Sequence, residues 1–230
     1  MSAFWTDAEV RAALGLEGAA GDIAFASVST DTRTIEPGAL FVALVGERFD
    51  GHDYVAEAHA RGARGAVVSR RPEGVPEDFV VYRVEDTLRA LGDLARHYRR
   101  SLPARVCAVV GSNGKTTTKE LVRAALEPRY RVHATRENLN NLIGVPLTVL
   151  AAPRDAEALV VEAGTNAPGE IDRLGEILEP DAVIVTAIAE EHLEGLGDLA
   201  GVLEEESSML RHLTPGGLAL VEIGRASCRE

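Results

Sequence analysis

The sequence predicts an α/β protein with two domains, a small one over residues 1–85 and a larger parallel-sheet one over residues 86–221. Three observations predict it. Short apolar, β-branched runs alternate along the chain with stretches of helical spacing. In the second half those runs are continuously apolar, as strands of a parallel sheet covered on both faces are. One of them, residues 106–110, stops at Gly111 and gives way to helical character soon after, a strand–tight turn–helix junction.

Taken in order, residues 39–45 (ALFVALV) read as a strand and residues 54–61 (YVAEAHAR) as a helix. Residues 65–69 (GAVVS) and 79–84 (FVVYRV) are further strands, separated by the Pro- and Gly-containing loop 71–76. Residues 86–100 place Leu88, Leu91, Leu94 and Ala95 at helical spacing, and Ser101-Leu102-Pro103 is a natural boundary. The second domain continues with the strand at 106–110 and a helix at 116–126 that stops at Glu127-Pro128. A strand at 158–161, a helix near 170–178, a strand at 182–187, a helix at about 199–210 and a strand at 218–221 complete the pattern. Ligands of such sheets collect at the carboxyl ends of the strands.

Bulk properties set limits. The 230 residues are 46% hydrophobic and 26% charged, an ordinary globular composition with room for a core. The net charge of −12 argues against a broad nucleic-acid or anionic-membrane surface. With only Cys107 and Cys228, no disulfide framework can be inferred and a reducing compartment fits. Cys107, inside the apolar strand, reads as a buried, inert thiol. The start MSAFWTDAEV has no basic segment followed by an apolar run, and no apolar stretch reaches membrane-spanning length. A cytoplasmic monomer with no membrane insertion is expected.

The chemistry concentrates at residues 108–120, AVVGSNGKTTTKE. A strand, a Gly turn and a helix N-terminus aim backbone N–H groups and the positive end of a helix dipole at one point, which suits a polyphosphate. Lys115 would reach the β- and γ-phosphates, and the Thr116 hydroxyl would sit on Mg²⁺. The usual P-loop pattern has a Gly where this chain has Val109. With a strand before the loop and a helix after it, the second domain reads as P-loop NTPase-like. Further candidates follow other strands. Asn138, Asn140 and Asn141 are site residues or simple turn formers. Glu162, ending an apolar strand beside small residues, is placed to hold Mg²⁺ or is a solvated strand-end carboxylate. His192 follows a third strand.

Taken together, these segments resemble the Mur ligase family. The resemblance rests on GSNGKTTTKE at 111–120, NLNNLIGVPLTVL at 138–150, EAGTNAPGEI at 162–171 and HLEGLG at 192–197. It extends to STDTRTIEPGALFVAL at 29–44 and FDGHDY at 49–54 in the first domain. It implies an α/β UDP-substrate domain ahead of the P-loop domain, and an ATP-dependent amide ligase of cytoplasmic peptidoglycan precursor synthesis. The 138–150 run with HLEG points to the member that joins D-Ala-D-Ala to UDP-N-acetylmuramoyl-tripeptide through an acyl phosphate.

The same resemblance implies roles residue by residue. Gly111, Ser112, Asn113, Gly114, Lys115, Thr116 and Thr117 would bind the ATP phosphates. Thr116, Glu162 and His192 would hold Mg²⁺, and Asn138 would help place the reacting groups. Ser29, Thr30, Asp31, Thr32 and Arg33, with Asp50, Gly51 and His52, would contact the UDP-sugar.

The chain also departs from the family. Glu206 stands where many relatives carry a carbamylated Lys facing a second metal; it could supply the same anionic oxygen, or belong to a solvated acidic helix face with Glu204 and Glu205. Glu137 stands where a Gly is usual, and Ala187 where Asn is common. The family's third, C-terminal domain is not matched, and residues 222–230 resemble a non-native tail. A truncated ligase is therefore expected, unable to complete ligation alone because the amine must be positioned against the acyl phosphate. Two alternatives stay open, a non-catalytic nucleotide- or UDP-sugar-binding module and another Mur-type amide ligase.

Overall fold

The computed structural model describes residues 5–46, 49–189 and 193–221, the side chains of residues 193 and 194 excepted. It divides into two compact units, Met1–His97 and Tyr98–Glu230.

In the first unit, β1 (Trp5–Thr6) runs straight into α1 (Asp7–Leu14). The Thr6 hydroxyl accepts from Glu9 N at 3.3 Å while the Glu9 carboxylate accepts from Thr6 N at 2.7 Å, a reciprocal cap that starts the helix. β2 (Ala24–Phe25) pairs antiparallel with β1. β3 (Val28–Ser29) and β4 (Leu40–Val42) come next, then a 3₁₀ turn at Gly51–Tyr54 and α2 (Val55–Ala60). β5 (Gly65–Val68) and β6 (Val80–Arg83) complete a parallel sheet in the order β3-β4-β5-β6. β4 is shorter than the apolar run predicted, because Val45 turns out to bridge Asp50 instead of continuing the ladder.

Alternation along these strands fills a core. Phe41, Ala43, Ala66, Val68 and Phe79 pack with Val55 and Ala58 of α2. Each large apolar side chain buried this way contributes about 1.5–3 kcal/mol. Asp7 is a buried carboxylate, accepting from the Tyr82 hydroxyl at 2.5 Å, Gly21 N at 2.7 Å and Arg11 Nε at 2.9 Å. Burial pushes its carboxyl up, but these donors outweigh it and hold Asp7 below the ordinary range. α3 (Thr87–Ser101) follows, and the division between the units falls within it.

The second unit holds β7 (Arg105–Val110), α4 (Lys115–Leu126), β8 (Val132–Ala134), α5 (Gly144–Leu150) and β9 (Ala158–Glu162). α6 (Glu170–Leu178), β10 (Ala182–Val185), α7 (Leu193–Leu196), α8 (Leu199–Ser207) and β11 (Leu218–Val221) follow. A 3₁₀ turn over Ser208–His212 takes up the end of the longer helix predicted there. The five strands form one parallel sheet in the order β11-β10-β7-β9-β8.

From β7 the chain crosses to the β8 edge, returns to β9 and then passes to β10 on the other side. The carboxyl end of β7 is thus a topological switch point, where a crevice opens. Register aligns its neighbours there, Val109 with Glu162 of β9 and Val110 with Val185 of β10. Cys107 in β7 is a free, partly buried thiol that burial pushes up to about 11, so it stays protonated and unreactive near neutral pH. Among the described residues no helix is long and apolar enough to cross a membrane.

Between β8 and α5, Glu137 holds a left-handed backbone with φ of 49°. A side chain is strained in that region, which accounts physically for the Gly that the family resemblance places there. Glu137→Gly is expected to raise stability by about 0.5–1 kcal/mol in urea unfolding; an unchanged or lower midpoint would contradict the strain.

Candidate functional site

The site starts where β7 ends. Gly111 has a φ of 118°, and a Cβ there would overlap Thr186 Oγ1 and lie 3.0 Å from Thr186 N, so only glycine lets β7 and the end of β10 approach this closely. The Gly111 amide donates to Glu206 Oε2 at 2.7 Å. Ser112 N donates to Ala187 O at 2.9 Å, with a weaker contact from Asn113 N at 3.4 Å, and Ser112 Oγ exchanges hydrogen bonds with Ala189 at 3.0 Å. Ala187 contributes through its carbonyl, so this contact does not require the Asn common at that position.

Gly114, with a φ of 88°, turns the chain into α4 and leaves the helix without a side-chain cap. The amides of Lys115, Thr116 and Thr117 therefore have no acceptor inside the helix and stand at its positive end. Lys115 Nζ folds back over the loop, donating to Gly111 O at 2.5 Å and Ser112 O at 3.3 Å. Uncapped amides, a helix dipole and an ammonium thus meet at one mouth, an arrangement that binds phosphate oxygens. The amides of Gly111, Ser112 and Asn113 are already engaged, so the donors available to a ligand begin at Gly114. Thr116 and Thr117 are exposed at the same helix start.

Glu162, the last residue of β9, is buried. Its amide donates to Thr135 Oγ1 at 2.9 Å and its Oε1 accepts from Asn140 Nδ2 at 3.0 Å, while Oε2 has no hydrogen-bond partner among the described residues. A buried carboxylate oxygen left bare is unfavourable, and a divalent cation satisfies it. The solvated strand-end reading of Glu162 is therefore wrong. Lys119, buried on α4, donates to Thr135 O at 2.8 Å and pairs with Glu120 at 2.8 Å, fixing the strand that supports Glu162.

Among the asparagines, Asn140 reaches Glu162 and Asn141 caps α5, its Oδ1 accepting from Gly144 N at 2.8 Å. Asn138 stays exposed. The sequence offers Asn140 only as one of three neighbouring asparagines and does not single out Thr135 or Lys119. Three nearby Asn are indistinguishable without contacts, and the one available signal for Lys119 was its helical i, i+4 spacing from Lys115. His192 lies outside the described residues. Glu206 is fully buried and Glu205 nearly so, which overturns the solvated acidic face for both; Glu204 remains exposed.

In the first unit the candidate residues follow the carboxyl ends of β3 and β4, two neighbouring parallel strands. Ser29 Oγ and Asp31 N meet at 3.2 Å, and the Arg33 guanidinium grips the Asp31 carboxylate, holding it below its ordinary range. Thr32 is buried. Asp50 Oδ1 accepts from His52 N at 2.9 Å and His52 Nδ1 at 2.5 Å, and its Oδ2 accepts from Arg70 at 3.1 Å. The buried His52 ring accepts from Ser69 N at 2.8 Å through Nε2, which places the imidazole proton on Nδ1.

These donors, the His52 amide first, hold Asp50 down at about 2 from an ordinary 3.8. A depressed carboxylate stabilises the fold above its unfolded value, and the contribution is lost as pH falls from about 4 toward 2. Asp50→Asn is expected to remove about 1 kcal/mol at pH 7, partial exposure screening the charge, and to flatten the acid limb of a urea stability profile. An unaltered acid limb would contradict this role.

Comparison with known proteins agrees with this architecture. The family model "Mur ligase family, catalytic domain" matches residues 24–99, and "Mur ligase middle domain" matches residues 109–229. UDP-N-acetylmuramoyl-tripeptide–D-alanyl-D-alanine ligase of Bacillus subtilis is 46% identical over 197 residues, covering 86% of this chain and 43% of that protein. The Escherichia coli ligase of the same name is 43% identical over 206 residues, covering 90% of this chain and 44% of its own length. The chain thus spans rather less than half the length of these relatives. Among solved structures, MurF from Acinetobacter baumannii superposes with a TM-score of 0.87 at 34% identity, covering 94% of this chain and 48% of that one. MurF ligase from Thermotoga maritima in complex with ADP gives a TM-score of 0.79 at 32% identity, covering 85% and 45%. The middle-domain match alone takes in more than half of the 230 residues, and the chain belongs to the Mur ligase family.

Proposed function

We propose that this chain carries the nucleotide-phosphate and UDP-substrate parts of an ATP-dependent ligase that adds D-Ala-D-Ala to UDP-N-acetylmuramoyl-tripeptide in peptidoglycan precursor synthesis. The observation that carries the reading is the uncapped start of α4, with Lys115 across it and the bare Glu162 Oε2 at the neighbouring strand end. The relatives named for this activity, and the ADP complex of one of them, support it.

The reaction brings two anions together, the tripeptide carboxylate and the ATP triphosphate. The amides of Gly114, Lys115, Thr116 and Thr117 bind phosphate oxygens, and Lys115 exchanges its loop carbonyls for the β- and γ-phosphates. Glu162 and the Thr116 hydroxyl, with His192, would hold Mg²⁺, which supplies further charge neutralisation when bound. Asn140 and Thr135 orient Glu162 for that task. The carboxylate then attacks the γ-phosphorus and ADP leaves. The amine of D-Ala-D-Ala attacks the resulting acyl phosphate, and phosphate leaves to give the amide. In the first unit, residues 29–33 and 50–52 take the UDP-sugar.

The test is incubation with ATP, Mg²⁺ and UDP-N-acetylmuramoyl-tripeptide, with and without D-Ala-D-Ala, following phosphate release and product mass. Nucleotide binding with D-Ala-D-Ala-dependent amide formation supports the whole reading. Nucleotide binding without turnover supports the phosphate site and leaves ligation to the longer proteins. A product with a different amine would replace the D-Ala-D-Ala assignment with another Mur-type ligation.

A further inference from the structure

We infer that Glu206 is a positioning residue for the phosphate loop, acting through the Gly111 amide, and that this positioning needs a hydrogen-bond acceptor at residue 206. The inference rests on the phosphate-site reading above. Glu206 is fully buried near the end of α8, and its Oε2 accepts from Gly111 N at 2.7 Å, at the residue where the chain leaves β7. Gly111 is also the point at which Thr186 crowds the backbone, so its amide has little freedom to find another acceptor. The carboxylate thereby fixes the turn from which Ser112, Asn113 and Gly114 are hung.

The preceding residue does a parallel job. Glu205 Oε2 accepts from Gly169 N at 2.8 Å and its Oε1 from Ile171 N at 2.8 Å, capping the start of α6 from outside that helix. Glu170 closes the same loop, its carboxylate accepting from Asn166 N at 2.7 Å and from Thr165 Oγ1 at 3.1 Å. Consecutive carboxylates on α8 therefore anchor the loop after β7 and the loop after β9, which flank the phosphate mouth. α8 acts as a strut between them. Charge-assisted bonds of this kind are short and directional, which is what loop positioning requires.

Acceptor and charge can be separated by substitution. Glu206→Gln keeps an amide oxygen for Gly111 but is a poor metal ligand; Glu206→Ala removes the acceptor. ADP affinity is measured by calorimetry in Mg²⁺ and again in EDTA, with the Gly111 amide followed by ¹H–¹⁵N NMR. We expect Glu206→Gln to bind ADP within about threefold of wild type in both conditions. Glu206→Ala should lose about tenfold in both, the effect of one lost charge-assisted hydrogen bond. The Gly111 amide resonance should shift in the Gln variant and lose its hydrogen-exchange protection in the Ala variant.

Loss confined to Mg²⁺ in the Gln variant would assign Glu206 to a metal and overturn the proposal. A folded Ala variant with wild-type affinity in EDTA would overturn it too, as would a Gly111 resonance unmoved in the Gln variant. If Glu206→Ala does not fold, the Gln variant and its Gly111 resonance decide. Failure of wild type to bind ADP at all would instead remove the phosphate-site reading, while the Gly111 resonance would still report the contact.

Discussion

Lys115→Ala is expected to weaken ADP and ATP binding by about tenfold to a hundredfold while leaving the fold intact. The ammonium donates to Gly111 O and Ser112 O, two backbone carbonyls in part-buried contacts beside the exposed Asn113 and Gly114. Their loss of a partner should alter stability by less than about 1 kcal/mol. A phosphate has no equivalent substitute, because the other cation nearby on α4, Lys119, is buried and committed to Thr135 O and Glu120. Each charge-assisted bond to a phosphate is worth about 1.5–3 kcal/mol, which sets the fold-change expected. Any phosphoryl transfer should disappear, because the repulsion between carboxylate and triphosphate is then uncompensated. Calorimetric titration alongside urea unfolding separates the two effects. Unchanged affinity in a folded variant would count against the role given to Lys115.

Gly111→Ala should show the converse, a fold-level defect at a residue with no side chain. The φ of 118° strains any L-residue, at about 1–3 kcal/mol, and the added methyl meets Thr186 at backbone distances of 3.0 and 3.1 Å. Relief would have to separate the end of β7 from Thr186, whose amide bonds Val110 O at 2.9 Å. Destabilisation of about 3 kcal/mol or more in urea is expected, with nucleotide binding lost in whatever remains folded. A midpoint within experimental error of wild type would show that β7 and the end of β10 do not approach as described.

The second unit was legible in the sequence because its strands are uniformly apolar and its phosphate turn is punctuated by Gly111 and Gly114. Helix α4 and strands β7, β9, β10 and β11 follow from that pattern alone. Three elements of this unit are not legible, β8, α5 and the four-residue α7. β8 has only three residues, too short for periodicity, and α5 carries Pro146 with Val145, Thr148 and Val149, all buried, so propensity opposes it and packing decides. In the first unit α1 is hard to read although Thr6-x-x-Glu9 is a capping-box signature, since the eight-residue helix offers only a short apolar face.

The site divides in the same way. Residues on the loop itself, Lys115 above all, could be read from spacing. Glu162 could be placed at a strand end but not shown to be buried. The supports Thr135, Asn140, Lys119, Glu205 and Glu206 reach the site from distant segments, and a run of three glutamates on a helix reads as solvent-facing until the helix is packed. Glu206 illustrates the limit: its bond to the Gly111 amide joins residues 95 apart in sequence and leaves no trace in any local pattern.

The most direct test is calorimetric titration of ADP with Mg²⁺ into the wild-type chain and into Lys115→Ala. Saturable one-to-one binding by wild type, weakened at least tenfold in the variant, is the predicted result. No binding of ADP to the folded wild-type chain at millimolar concentration, or equal binding by both proteins, would contradict a phosphate site at the end of β7.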